Sequence, residues 1–136
     1  MAARTAINRS SPDYFRGIVS NAVLNGYSGR LNWEIRVKRG LSYGAGSALD
    51  TRRWAGSFTA SAQTKNESGA EVASLTLGEI SKLATGDLPD KELTTRKASL
   101  NGGFARGLET TGGLVGQAQS GLAEFAPFVG KVLIQQ

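Results

Sequence analysis

The sequence predicts an α+β fold, a two-layer sandwich in which helices pack on one face of a small antiparallel sheet. Three observations predict it. Apolar residues recur at helical spacing before residue 40 and again after residue 66. Between those stretches the period drops to two, in two consecutive runs joined by a short polar turn. The resulting order of helix, helix, strand, strand, helix, helix segregates the two kinds of element rather than alternating them as a parallel βαβ sheet does. With 136 residues, 40% hydrophobic and 20% charged, the chain reads as a single domain over 1–136, large enough to bury a core without a disulfide or structural metal.

Taken in order, Ser11-Pro12-Asp13 is a helix start, with a capping serine, a proline at the first helical position and an aspartate at the positive end of the dipole. Phe15, Ile18, Val19, Ala22 and Val23 form one buried face, and Asn25-Gly26 stops the helix. Ser28 can cap a second, short and basic helix that turns Leu31, Ile35 and Trp33 inward, turns Arg30, Glu34 and Lys38 outward, and ends at Gly40. In the first strand Tyr43, Ala45, Ser47 and Leu49 alternate with Gly44, Gly46 and Ala48. After the turn at 50–53, Trp54, Gly56, Phe58, Ala60 and Ala62 share one side of the second. Asn66 to Gly69 forms a loop and helix entry, and Val72, Leu75, Ile80 and Leu83 with Ala73, Leu77 and Ala84 define the third helix, which ends at Gly86. Asp90 is placed to cap a fourth helix through Leu93, Ala98, Leu100 and Phe104 towards Leu108. Thr110 or Thr111 can cap a fifth through Leu114, Val115, Ala118 and Leu122. Six glycines between Gly102 and Gly116 each cost a helix up to ~1 kcal/mol against alanine, so close packing or breaks must offset them. Phe128 to Ile134 is either a final strand or an extended tail.

Composition excludes several kinds of chemistry. The chain has no cysteine and no histidine, so it lacks the sulfur and imidazole ligands of zinc, haem and iron–sulfur sites. A cysteine nucleophile and the histidine base of a Ser-His-Asp triad are missing for the same reason. Sixteen Lys and Arg against eleven Asp and Glu leave +5. Most of that excess lies between Arg30 and Arg53, where six cations face two anions. Such a neighbourhood suits nucleic acid, an acidic partner or a peptide backbone, and is equally an ordinary solvated face. No apolar run reaches the ~18 residues of a membrane helix. Met1 to Asn8 lacks the apolar stretch of a secretory signal, so any export signal is expected on a longer precursor.

Glycine and carboxylate motifs do not carry function here. Gly40-Leu41-Ser42-Tyr43-Gly44-Ala45-Gly46 resembles a phosphate cradle, but it follows a helix and enters a strand, with no Gly-Lys-Ser/Thr. Asp87, Asp90, Glu92, Glu67 and Glu71 all sit at helix entries, where capping and the dipole account for them. Trp33 and Trp54 are packing residues rather than base-stacking platforms. A helix that ends at a glycine and feeds straight into a strand does, however, bring its last turn beside the first strand residues. Arg36 and Tyr43 form such a candidate pair. The arginine fork and the phenolic hydroxyl together can hold a carbonyl oxygen or stabilise an oxyanion. The alternative is that Arg36 pairs with a nearby carboxylate and Tyr43 packs at the sheet edge.

The run Ser28-Gly29-Arg30-Leu31-Asn32, then Glu34-Ile35-Arg36, then Lys38-Arg39-Gly40-Leu41-Ser42-Tyr43 closely resembles the C-terminal half of the pitrilysin/insulinase-type zinc metallopeptidases, the group that includes mitochondrial processing peptidase and related bacterial proteases. Pro12-Asp13-Tyr14, Asn21-Ala22-Val23-Leu24, Gly56-Ser57-Phe58, Gln63-Thr64-Lys65, Glu92-Leu93 with Lys97, and Leu108-Glu109-Thr110 extend the likeness over roughly 11–121. Beyond Ala123 the chain departs from the pattern and the usual first strand is shortened, as in a truncated product.

The resemblance implies the processing-peptidase-like metallohydrolase fold in truncated form, and a division of labour. The N-terminal half of such peptidases carries His-x-x-Glu-His, binds zinc and supplies the general base. The C-terminal half lacks the metal, and its arginine and tyrosine, seven residues apart, hydrogen-bond the substrate backbone near the scissile carbonyl. Arg36 and Tyr43 stand at that spacing. The expectation is a substrate-binding, metal-free half, inactive alone, with no cofactor of its own and zinc on a histidine-bearing partner half in the same precursor or another subunit. An unfolded peptide is the expected substrate, a second copy of the chain a further candidate partner, and the bacterial cytoplasm or periplasm the compartment. The alternative of the same fold is a structural or assembly subunit, as in respiratory complexes. A basic nucleic-acid module is a third reading, one that predicts affinity falling steeply with salt.

Overall fold

The computed structural model describes residues 1–52, 54–116 and 118–119. The chain divides into two compact units, Met1–Lys97 and Ala98–Gln136. In the first unit, a three-stranded antiparallel sheet has the order β1-β3-β2, built from β1 (Ala2–Ala6), β2 (Ser42–Thr51) and β3 (Gly56–Thr64). The helices are α1 (Tyr14–Leu24), a π-helical segment (Asn32–Val37), α2 (Gly69–Ala84) after a 3-10 turn (Asn66–Ser68), and α3 (Asp90–Leu108).

β2 and β3 pair from Thr51↔Gly56 to Ala45↔Ala62 with one register, which places Ala45, Ser47 and Leu49 on the same face as Gly56, Phe58, Ala60 and Ala62. Leu24, Leu31, Ile35, Ala60 and Val72 form the buried core, and Ala45, Phe58, Ala62, Leu75, Ile80 and Leu83 pack around it. The face expected of β3 is therefore the core face as far as Gly56, whereas Trp54 lies outside the strand and is exposed. β1 is an element that periodicity misses, because Ala-Ala-Arg-Thr-Ala carries no apolar alternation; its place is set by pairing with β3, from Ala2↔Ala60 to Ala6↔Gly56. Gly56 must be glycine: a Cβ there would lie 2.0 Å from the Ile7 carbonyl oxygen.

Three residues expected to turn inward, Phe15, Trp33 and Leu77, are exposed. Phe15 is 77% exposed, because α1 turns the stripe of Gly17, Asn21 and Leu24 towards β2. Asn21 Oδ1 accepts from Ser47 Oγ at 2.8 Å, and a Cβ on Gly17 would meet Ile7 and Leu49. A polar residue inside the buried stripe hides it from a purely apolar template. Trp33 is 53% exposed, since it lies two residues from both Leu31 and Ile35, on the opposite side of the turn. Leu77 on α2 is exposed as well, and Thr76 and Glu79 take buried places beside Val72.

α2 and α3 match their expected spans, with Gly86 at φ +83° ending the former and Asp90 inside the first turn of the latter. α3 runs through Gly102, Gly103 and Gly107 before a break at 109–110. Residues 111–116 are helical again, and Thr110 Oγ1 accepts from Gly113 N–H at 3.0 Å as a capping threonine does. The expected continuation to Leu122 and the strand or tail at 128–134 lie outside the described residues. No helix among the described residues is long and apolar enough to cross a membrane.

Candidate functional site

Arg36 and Tyr43 come together. The Arg36 Cζ lies 5.9 Å from the centroid of the Tyr43 ring and, on its other contact, 5.5 Å from the centroid of the Tyr27 ring, both within cation–π range. Tyr43 is 88% and Tyr27 80% exposed, and Arg36 is half-buried. Neither member of the expected pair is sealed in the core. Tyr27 is the residue that sequence reasoning missed; it stands in an irregular turn, where no periodicity assigns a side chain to a site.

An extra residue in each flanking element shapes the pair. The helix that carries Arg36 in its last turn is of π type, with Lys38 N–H donating to Trp33 O at 2.9 Å, one residue farther back than an α-helix allows. Gly40, at φ +64°, then reverses the chain, and Gly40 and Leu41 N–H donate to the Arg36 and Ile35 carbonyls. On the strand side, pairing passes from Gly44↔Gln63 to Ser42↔Thr64, so Tyr43 is the unpaired residue of a β-bulge. Strict alternation puts Tyr43 on the core face with Ala45 and Ser47. The bulge instead gives that face to Ser42, which is buried, and turns Tyr43 out. Ser42 Oγ donates to Gly44 O at 2.6 Å and accepts from Gly44 N–H at 3.0 Å, clasping the bulge. An open depression of about 410 Å³ lined by Gly40, Leu41, Ser42, Tyr43, Gln63, Thr64 and Lys65 adjoins it.

Electrostatics set Arg36 apart. Glu34, the carboxylate nearest in sequence, pairs with Lys38 at 2.9 Å and with Arg39. Hydrogen bonds from Lys38 and then Arg39 hold its carboxyl below the ordinary glutamate range, against burial. Arg30, expected to face solvent, grips Glu92 with Nε at 3.1 Å and Nη2 at 2.6 Å from Oε2, and this bond raises its already basic pKa. Arg52 pairs with Asp50 at 2.7 Å. Among the described cations of the basic stretch, Arg36 alone has no carboxylate partner. The alternative in which a local carboxylate consumes Arg36 therefore fails. Ser28 does not cap a helix either: its Oγ and carbonyl accept from Arg96 at 2.8 and 2.5 Å.

Zinc does not fit this chain, which has no histidine or cysteine to donate to it. No group of three or more acidic residues able to hold a metal occurs among the described residues.

Residues 2–100 match the family model described as the peptidase M16 inactive domain. The chain belongs to that family. It is thus an inactive C-terminal domain of a zinc protease family, as the sequence motif implies. Among curated relatives of the M16 chain are uncharacterized zinc proteases of Mycobacterium bovis and Mycobacterium tuberculosis, each 34% identical over 92 residues that cover 68% of this chain and 21% of the relative. The chain thus spans about a fifth of their length. Among solved structures, the peptidase M16 inactive domain from Pseudomonas fluorescens superposes with a TM-score of 0.69 at 31% identity, over 74% of this chain and 25% of that one. A conserved protein from Enterococcus faecalis shares the fold, with a TM-score of 0.75 at 22% identity over 92% and 29% of the two chains.

Proposed function

We propose that this M16 inactive domain is the substrate-gripping half of a zinc endopeptidase, completed by a histidine-bearing half that carries the metal and the general base. The same reading treats 1–136 as a single, partial C-terminal domain of that half. One observation carries it: Arg36, with no carboxylate partner, lies against the ring of the exposed Tyr43, at the end of a helix and the start of a bulged strand. A carboxylate-paired arginine or a packed tyrosine serves stability. A fork of free donors next to a free phenol serves a ligand that brings acceptors, and the carbonyls of an extended peptide are such acceptors. Both groups donate to a carbonyl oxygen that gains charge as water adds to it, so they bind the transition state more tightly than the substrate. Zinc, bound elsewhere, would activate the water. This chain's share is to hold and orient the peptide.

The test is reconstitution. The chain alone leaves an unfolded peptide intact, and addition of its histidine-bearing half produces cleavage. In that assembly Arg36→Ala or Tyr43→Phe lowers kcat/KM by the equivalent of about 1–4 kcal/mol of transition-state stabilisation. Unchanged turnover in both variants refutes the assignment and leaves the structural-subunit alternative standing.

A further inference from the structure

The geometry points to Tyr27 as a third member of this site, a positioning residue that, together with Tyr43, holds the Arg36 guanidinium against an aromatic ring; this rests on the proposed role of Arg36. Arginine has about 2 kcal/mol of rotamer freedom to lose when it is held in one place, and Arg36 has no carboxylate to hold it. Its two ring contacts, at 5.5 and 5.9 Å, replace one without consuming its donors. A cation held over a ring face leaves its N–H edge open to a carbonyl, whereas a carboxylate occupies that edge.

The turn that presents Tyr27 is built with unusual care for an exposed loop. Asn32, only 4% exposed, donates its amide Nδ2 to the Tyr27 carbonyl at 2.7 Å. Arg96 donates to both the carbonyl and the hydroxyl of the next residue, Ser28. Gly26 takes φ +89°, and at Gly29 a Cβ would lie 2.3 Å from the Asn25 carbonyl oxygen, so two glycines let the turn fold this tightly. The buried amide and the arginine fix the two successive peptide units that follow Tyr27, yet the Tyr27 ring itself is spent on solvent and on Arg36. Core packing does not call for that arrangement. Holding Arg36 does.

The experiment compares Tyr27→Ala, Tyr27→Leu and Tyr27→Phe in the chain joined to its histidine-bearing half, each with and without Arg36→Ala. Loss of the ring is expected to lower kcat/KM roughly 2- to 30-fold, the span of a cation–π contact, while Phe, which keeps the ring, stays within about 2-fold of the parent. In the Arg36→Ala background the ring is expected to matter no longer. On the chain itself, ring-current upfield shifts of the Arg36 side-chain protons should persist in Tyr27→Phe and diminish in Tyr27→Ala and Tyr27→Leu. Full activity in the Ala and Leu variants, with Arg36→Ala impaired, overturns the role of Tyr27 and spares that of Arg36. An equal loss with and without Arg36 assigns Tyr27 a merely structural part and overturns it likewise. A silent Arg36→Ala removes both proposals together.

Discussion

Arg36 is held in place by two aromatic rings rather than by an anion, which makes its geometry as important as its charge. Arg36→Lys retains a cation but replaces a planar fork with a point charge that stacks poorly. It should therefore recover only part of the kcat/KM lost in Arg36→Ala, measured in the reconstituted protease. Glu34 plays the complementary part by absorbing Lys38 and Arg39. Its folded pKa lies below the ordinary value of 4.5, so its contribution is complete above that value and disappears as the pH falls through the folded one. Glu34→Gln should lower stability at neutral pH by about 0.5 kcal/mol, given the exposure of both cations, and should flatten the decline of stability below pH 4.5 in denaturant titrations. At this scale the pair Arg36 and Tyr43 was legible because a motif and a helix-to-strand junction both point to it. Tyr27 was not, because cation stacking across a turn leaves no trace in periodicity.

The elements around the site depart from regularity by one residue each. The runs of Ala45, Ser47 and Leu49, of Phe58, Ala60 and Ala62, and of Val72, Leu75 and Ile80 are readable because each buries a regular stripe. The π-turn and the bulge are not, since an inserted residue breaks the period on which such reading depends, and β1 is set by its partner strand rather than by its own composition. The clasp of Ser42 on Gly44 is what the bulge needs. Ser42→Ala should cost about 1–2 kcal/mol of stability in chemical denaturation and lower kcat/KM by misdirecting Tyr43, whereas Ser42→Thr, which keeps the hydroxyl, should retain more of both. Gly29→Ala should be the harsher change, because its Cβ would meet backbone at 2.3 Å.

Across the first unit, the site rests on a lattice of long-range ties. Arg30 to Glu92 and Arg96 to Ser28 span 62 and 68 residues of sequence. They anchor the beginning of α3 to the turn and helix that present Tyr27 and Arg36. Glu92 sits at a helix entry, where capping alone accounts for it in the sequence, and its distant partner is invisible to local pattern. Glu92→Ala leaves a half-buried arginine without its anion, and is expected to cost about 2–3 kcal/mol, with a lower melting temperature. The β2–β3 pairing, the helical layer over it and the family were legible in the sequence, because a contiguous motif and period-two runs carry them, whereas β1 has neither.

The grip on the peptide is tested most directly by contact. With Tyr43 replaced by a photoreactive phenylalanine in the chain paired with its histidine-bearing half, irradiation in the presence of an unfolded peptide should give a covalent chain–peptide adduct that excess unlabelled peptide suppresses. Cleavage of the peptide by that same assembly with no adduct formed would contradict the account.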